Sequence, residues 1–256
     1  MVRVTALCLA LAAIMGLFSQ CSPAATNLQN ENSAPAKIQL MTSLPIVWGE
    51  GASMTSIVSG EASPAPIYAH WQQQHDMTAV DSFAGLENSD TDLILLAQPP
   101  AMDPADIAAV DAWVRAGGKA IILTDPMLVW HTEFPIGDRR RPLTSGLLSP
   151  LLGHWGLELL APDGDGAGGV ELEFPDARIS TVGIGTFKAA AEREDSHADC
   201  AFSAGNVMAR CSVGKGAVII VADADFLNDA LWSNETGDDT GDARDLTDSL
   251  IADLQK

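Results

Sequence analysis

Residues 93–126 read LILLAQPPAMDPADIAAVDAWVRAGGKAIILTDP, and this stretch decides the fold. Two apolar runs, at 93–97 and 120–123, each lead into a proline and are typical of buried parallel strands. Between them we expect a helix that is capped by Asp103, begins at Pro104 and ends at Gly117-Gly118, with Ile107, Val110 and Val114 at helical spacing. A strand, a helix and a strand within about thirty residues predict a right-handed βαβ unit.

Other segments extend this unit into a larger sheet. KIQLMTSLPIVWGEG, from residue 37, opens with a short strand and a Gly-rich loop, and GKGAVIIVADADF, from residue 214, enters another long apolar strand. RDLTDSLIADL, at 244–254, is typical of a closing amphipathic helix. Between 170 and 212 the chain is rich in β-branched alternation and turns. We therefore predict an α/β fold with a mainly parallel sheet flanked by helices and an antiparallel β extension in the C-terminal half.

Polar residues follow the predicted core strands. Gln98 follows the first strand of the βαβ unit, Asp125 follows the second, and Asp223 and Asp225 follow the late strand. In open α/β sheets, ligands bind in the crevice beyond the carboxyl ends of the strands. These four residues are therefore ligand-binding candidates. Trp130 joins them, because a tryptophan on this side could stack on a sugar ring, although packing under a loop is the alternative.

The segment DRRR at 138–141 stands out in an acidic chain. Fourteen Lys and Arg face 34 Asp and Glu, for a formal net charge of -20. We expect Arg139, Arg140 and Arg141, with Asp138, to fold back over a cleft rimmed by Asp125, Asp223 and Asp225, and we name all four loop residues as ligand-binding candidates. Two alternatives stay open: the arginines only neutralise the acidic rim, or they keep guanidinium surface free for an anionic group.

Several classes of function are disfavoured. The acidic balance lacks the basic face that a nucleic-acid binder needs. No G-x-S-x-G elbow occurs, and His70 and His75 are five residues apart, not the four of a zincin helix. Asp125, Asp223 and Asp225 could together bind a cation, but carboxylates in so acidic a chain are usually just solvated. We therefore predict no catalytic residue, no metal and no cofactor.

The N-terminus is typical of an exported protein. An apolar run from Val4 to Phe18 follows one arginine, which predicts a signal peptide over 1–24, a flexible linker over 25–37 and the folded domain over 38–256. LFSQC at 17–21 alternatively predicts a lipoprotein signal ending at residue 20, with Cys21 acylated. An uncleaved anchor is a further alternative. We expect a periplasmic protein, either free or tethered to the membrane through Cys21.

Cys200 and Cys211 form the remaining cysteine pair. They flank AFSAGNVMAR, and a two-residue turn at Gly205-Asn206 would place the two cysteines directly opposite each other in a hairpin. We therefore predict a disulfide, which an oxidising compartment would preserve. Two buried thiols are the alternative.

The stretch 93–126, together with LLSPLLGHWGLEL at 147–159 and GKGAVIIVADADFLND at 214–229, resembles the auxiliary, substrate-side proteins of gliding-motility-type ABC transporters, the GldG-like family. The resemblance covers roughly residues 90–160 and 213–254. It implies a flavodoxin-like, class I glutamine-amidotransferase-like fold. In active amidotransferases a cysteine nucleophile occupies a strand-to-helix turn. The comparable turn here is LTDPM at 123–127, so that chemistry is expected to be absent.

The resemblance also implies a role and partners. We expect a non-catalytic, exported accessory or ligand-recognition component of an ABC-type envelope system, with a permease and an ATPase as partners. Two alternatives stay open. One is a cell-envelope hydrolase that uses Asp125 with Asp223 or Asp225 as acid and base. The other is a protein-interaction scaffold, which would expose an apolar patch.

Overall fold

A mostly parallel seven-stranded sheet lies at the centre of the computed structural model, which describes residues 35–256 except 133, 165, 167, 176, 191–197 and 233–241. The predicted signal peptide, Cys21 and nearly all of the linker lie outside the described residues. The strands of the sheet are β1 (Lys37–Thr42), β2 (Asp76–Ala79), β3 (Leu93–Ala97), β4 (Lys119–Leu123), β9 (Ala198–Ser203), β10 (Met208–Val213) and β11 (Gly216–Val221).

The strand order is β2-β1-β3-β4-β11-β10-β9. The first five strands in this order pair in parallel, and β10 and β9 add an antiparallel edge. Four shorter strands form two separate antiparallel pairs: β5 (Leu157–Leu160) with β8 (Thr186–Ala189), and β6 (Val170–Glu173) with β7 (Arg178–Thr181). The predicted α/β class, with its parallel sheet and antiparallel C-terminal extension, is confirmed.

Five α-helices accompany the sheet in the described residues: α1 (Met54–Ser59), α2 (Pro66–Gln74), α3 (Pro104–Ala116), α4 (Ser149–His154) and α5 (Asp242–Gln255). Side chains of α2 and α5 pack on one face with Leu95 and Ile121, and side chains of α3 and α4 pack on the other with Ile94 and Ile122. Successive residues of a strand point to opposite faces, so a continuous apolar run supplies both cores. None of the described helices is long and apolar enough to span a membrane.

The predicted βαβ unit is present as β3, α3 and β4. Helix α3 begins at Pro104 with Asp103 at the N-cap, although the Asp103 side chain makes no capping hydrogen bond. The C-cap is Gly117, at φ 125°, a backbone angle that only glycine adopts easily. Val110 and Val114 are buried as expected.

Gly216 fixes the distance between α3 and the sheet. A Cβ at this position would lie 2.1 Å from the Val114 carbonyl oxygen and 2.3 Å from that of Gly118. Only glycine allows β11 to start this close to the end of α3. The Gly-Lys-Gly segment before the last apolar strand is thus a packing requirement as well as a turn.

The disulfide hairpin has the predicted register. Cys200 is directly opposite Cys211 in the ladder between β9 and β10, and the two form a disulfide. The turn is longer than the two residues expected, since Ala204–Asn206 form a short 3-10 turn before Val207. Gly205 and Asn206 both have positive φ, which is the backbone that makes these residue types favourable here.

Candidate functional site

Successive strands are added to opposite sides of β1, and this reversal of strand order creates a crevice. The chain goes from β1 to β2 on one side and returns to β3 on the other, so the loops after β1 and β3 leave in different directions. Beyond the carboxyl ends of β1 and β3 lies a cavity of about 540 Å³, a size that suits a small ligand. We call it the switch-point cavity, because such reversals are where open α/β sheets bind ligands.

The walls of the switch-point cavity are mainly apolar. Trp48 has 53% of its surface exposed and Met54 76%, so both present apolar side chains to solvent. The polar part of the lining comes from Thr42 and Ser43 at the end of β1 and from Arg139 and Arg140. The remaining lining residues are Leu44, Pro45, Val47, Gly49, Ala52, Ile57, Pro100 and Phe134.

Ser43 ties together the three loops around the cavity floor. Its backbone N–H and its hydroxyl both donate to the Gln98 carbonyl, at 2.9 and 2.6 Å. The Ser43 Oγ atom in turn accepts from the backbone N–H of Leu143, at 3.2 Å. The loop that carries the arginines is therefore held against the end of β1.

Gln98 is a positioning residue in this arrangement. It is fully buried, and its φ of 42° is unusual for a residue with a side chain. Its Nε2 donates to the carbonyls of Asp125 (3.1 Å) and Leu143 (2.9 Å), and its Oε1 accepts from the Asp125 N–H (2.8 Å). Gln98 is therefore not the ligand contact that its position after a core strand predicts, because its amide binds backbone and does not line the cavity.

The arginine loop closes on itself. Arg140 forms a bidentate ion pair with Asp138, with Nε–Oδ1 3.0 Å and Nη2–Oδ2 2.7 Å, and its guanidinium lies 3.9 Å from the centre of the Phe134 ring. Hydrogen bonding to Arg140 lowers the pKa of Asp138 to about 2. Arg141 donates to the Phe134 carbonyl. Arg139 and Arg140 line the switch-point cavity.

This geometry corrects the expectation that the arginines cover Asp125, Asp223 and Asp225. Arg140 pairs with a carboxylate two residues away, which costs little chain entropy because the partners are almost adjacent. The three other carboxylates are fully buried, below the loop that follows β4 and the loop that follows β7. They are part of the interior and do not form the rim of a cleft.

Asp125, Asp223 and Asp225 nevertheless come together, as their positions at strand ends predict. We call them the carboxylate cluster. One oxygen from each lies within 4.8 Å of one from each of the others. Leu123 pairs with Val221 in the ladder, so Asp125 and Asp223 occupy equivalent positions two residues beyond their strands.

Backbone N–H groups hold each carboxylate of the cluster. Asp125 accepts from Met127 (2.7 Å) and Ala224 (3.3 Å), and Asp225 accepts from Val129 (2.7 Å). Asp223 accepts from the backbone N–H of Asp225, at 2.8 Å. These bonds orient the carboxylates but bring no positive charge to them.

Burial shifts the protonation of the cluster. Loss of hydration raises the pKa of Asp125 to about 6 and the pKa of Asp225 to about 7. Burial raises the pKa of Asp223 well above its ordinary value, and the neighbouring Asp125 charge raises it further. The backbone donors oppose these shifts without cancelling them.

Trp130, the candidate for sugar stacking, and Trp48 are in different environments. Trp48 lines the switch-point cavity, whereas Trp130 packs against the core on the side of α2 and α5. Met54, Ile57 and Phe134 also line the cavity, although the sequence motifs do not predict them as site residues. A sequence signal that could have indicated this part of the cavity is the Gly-rich loop after β1. It is followed by Ser53 and Ser56, which form a reciprocal capping box at the start of α1.

Fold and site together define a parallel α/β domain with a ligand-sized cavity at its topological switch point. Residues 35–161 match the model of a family described as an ABC-type uncharacterized transport system. This match supports an auxiliary component of an ABC transport system. The matched stretch includes β1 to β4 and every residue that lines the switch-point cavity. No curated protein matches the chain.

Several solved structures are similar to this chain, each with a TM-score below 0.5. The mmIFT52 N-terminal domain is 11% identical, with a TM-score of 0.49, covering 86% of this chain and 97% of that one. A β-galactosidase from Rahnella sp. R3 is 14% identical with a TM-score of 0.44, covering 87% of this chain. The exo-β-1,4-mannosidase Op5Man5 from Opitutaceae bacterium strain TAV5 is 13% identical with a TM-score of 0.41, covering 77%. The chain spans only 32% and 33% of the length of these two enzymes.

Proposed function

We propose that the chain is a non-catalytic, exported accessory or ligand-recognition component of an ABC-type envelope transport system. The observation that carries this proposal is the family match over residues 35–161, because the same stretch builds the whole switch-point cavity. The proposed partners are a permease and an ATPase. The proposed place of recognition is the switch-point cavity together with helix α1 beside it.

Helix α1 has the character of an interaction surface. It is well formed, with a capping box at Ser53 and a left-handed Gly60 at its end, yet none of its residues is buried. Met54 and Val58 are 76% and 80% exposed, and Met54 lines the cavity together with Trp48. A capped helix that holds apolar side chains in solvent is typical of a surface that a partner covers.

The non-catalytic part of the proposal rests on access. All three members of the carboxylate cluster are fully buried, so a substrate cannot reach them without opening of the loops above. The turn at 123–127 also carries no cysteine nucleophile. These observations favour an accessory role over the alternative of a cell-envelope hydrolase that uses Asp125 with Asp223 or Asp225.

We further propose that the domain has a flavodoxin-like fold. The parallel strands follow the order 2-1-3-4 and then β11, which corresponds to the 2-1-3-4-5 order of flavodoxin-like sheets. We therefore assign the domain to the flavodoxin-like group that includes class I amidotransferases. We likewise propose that the chain is a GldG-like protein.

The proposed location is the periplasm, with Cys21 as the candidate membrane tether. The Cys200–Cys211 disulfide supports an oxidising compartment, because such bonds are rare in the cytosol. Mass spectrometry of the N-terminal peptide of the mature protein tests the tether. An acylated Cys21 supports it, and an unmodified N-terminus beyond residue 21 contradicts it.

Affinity purification tests the proposed role. The tagged full-length protein is purified from its native envelope, alongside a Trp48→Ala, Met54→Ser, Val58→Ser triple variant. The control is Val170→Ser, a change at an exposed valine of β6. We expect wild type and control to recover a permease and an ATPase and the triple variant to lose them. Recovery of neither partner by the wild type would overturn the proposal.

A further inference from the structure

We propose that Asp125, Asp223 and Asp225 bind one divalent cation of the hard, oxygen-preferring class, such as Ca²⁺ or Mg²⁺. The site would lie beneath the loops that follow β4 and β7. This inference does not depend on the proposed transport role, and it departs from the sequence-based expectation that the chain holds no metal.

The spacing of the carboxylates fits a single ion. One oxygen from each aspartate lies within 4.8 Å of one from each of the others. Two oxygens that each contact one Ca²⁺ at about 2.3–2.6 Å can be at most about 5 Å apart. The separations of the three carboxylates therefore fall within the limit that a shared Ca²⁺ allows.

A separate observation points to a missing partner. Asp223 Oδ2 and Asp225 Oδ1 are buried oxygens without a hydrogen-bond partner among the described residues. The second oxygen of each carboxylate is held by a backbone N–H, as described above, so the orientation of both groups is fixed. Buried carboxylate oxygens normally have a donor or a metal, because an unpartnered one is costly.

Protein side chains do not supply the charge that the cluster needs. None of the ion pairs formed by the described residues involves Asp125, Asp223 or Asp225. The buried Thr181 hydroxyl lies beside Asp223 and offers one more neutral oxygen. The raised pKa values mean that the cluster holds protons when no metal is bound. A divalent cation that displaces these protons satisfies the unpartnered oxygens and balances the charge of the deprotonated carboxylates.

The donor set determines the class of ion. All the available ligands are oxygens, with no His or Cys in the cluster. Carboxylate and hydroxyl oxygens suit Ca²⁺, Mg²⁺ and Mn²⁺, whereas zinc sites are usually built from Cys and His. We therefore expect Ca²⁺, Mg²⁺ or Mn²⁺ to bind in preference to Zn²⁺.

Metal content and thermal unfolding test the site. The full-length protein is treated with EDTA, dialysed at pH 8, and incubated overnight with Ca²⁺, Mg²⁺ or Mn²⁺, since an enclosed site exchanges slowly. We expect one bound ion per chain by elemental analysis after desalting, and a rise in Tm of several degrees. A wild-type chain that retains no ion and shows no shift with any of the three would overturn the proposal.

Two variants locate the ion. Asp225→Asn keeps the shape of the side chain and removes a charge from the interior, so it is expected to fold while losing both the bound ion and the Tm rise. Asp138→Asn, on the arginine loop, is the control and should behave like wild type. An equal metal content and Tm rise in wild type, Asp225→Asn and Asp138→Asn would place the ion elsewhere and would contradict the assignment.

Discussion

Asp125, Asp223 and Asp225 should make stability depend on pH in metal-free buffer. Their folded pKa values lie above the ordinary value of 3.8, so the folded chain holds more protons than the unfolded chain between about pH 4 and pH 7. Stability from this cluster is therefore greatest near pH 4 and decreases as the pH rises toward 7. We expect Tm in EDTA to fall by roughly 5 °C or more over this range.

A comparison of variants isolates this effect. Partial burial lowers the pKa of His75, and a histidine held neutral in this way gives stability that increases with pH, opposite to the cluster. Thermal unfolding of wild type and Asp225→Asn should be compared from pH 4.5 to pH 8. The Tm of Asp225→Asn should decrease less with rising pH than that of wild type. Identical Tm-versus-pH profiles would contradict the raised pKa of Asp225.

Gln98 should matter for stability more than its position in a loop suggests. Its amide makes three hydrogen bonds to buried backbone groups of the segments after β4 and of the arginine loop. Gln98→Ala leaves the Asp125 N–H and the Leu143 carbonyl without this partner, and we expect a loss of about 2–4 kcal/mol in the free energy of unfolding by urea titration. Gln73→Ala, at an exposed position of α2, is the control. A loss for Gln98→Ala no larger than that of the control would contradict this role.

At the scale of elements, Gly216 and Gly153 provide a matched pair. Gly216→Ala places a methyl group 2.1 Å from the Val114 carbonyl and must push α3 away from β11. We expect a loss of about 3 kcal/mol or more. A Cβ at Gly153, in α4, would contact nothing beyond its own helix turn, and Gly153→Ala should raise helix stability by about 0.5–1 kcal/mol. Urea titrations of both variants that agree within error would contradict the close packing of α3 on β11.

The disulfide of the β9–β10 hairpin should stabilise the sheet edge. It closes a short loop with a sequence separation of 11, for which the chain-entropy model gives about 3 kcal/mol. Cys200→Ser with Cys211→Ser, measured by thermal unfolding, should lower Tm by roughly 6–12 °C for a domain of this size. An unchanged Tm, or free thiols in the purified wild type, would contradict the bond.

Elements marked by short sequence patterns were predicted correctly. The βαβ unit, the late strand and the hairpin register all follow from apolar runs, proline and glycine positions, and two cysteines at the right spacing. Strand β2 could not be recognised, because its residues, DMTA, include none that is buried and it lacks an apolar run. Without β2 the reversal of the sheet at β1, and hence the position of the cavity, stays hidden.

The carboxylate cluster could be predicted in part, because the positions of its members follow from the strand ends. Three carboxylates at the ends of adjacent strands meet because strand ends meet, and that follows from topology. Their complete burial does not follow, since it depends on the loops 126–129 and 181–185, which are distant in sequence from each other. The partner of Arg140 could not be predicted from the strand ends either, because Asp138 on the same loop pairs with it in place of the distant carboxylates.

At the scale of the whole molecule, two features are separate in location and in the functions proposed for them. The carboxylate cluster lies inside, under loops, and the switch-point cavity opens to solvent beside the uncovered helix α1. Changes at the cluster should therefore alter stability and leave partner recovery intact, whereas changes at Trp48, Met54 and Val58 should do the reverse. Measurement of Tm and partner recovery on Asp225→Asn and on the triple variant checks this separation; loss of both properties in both variants would contradict it.

The most direct test of the accessory role is site-specific photo-crosslinking in the native envelope. A photoreactive residue replaces Met54, on α1 beside the switch-point cavity, or Val170, on β6, as a control of similar exposed character. We predict that position 54 forms an adduct with the permease and that position 170 does not. Adducts with the permease from position 170 alone, or none from either position, would contradict the claim that this face recognises the transporter.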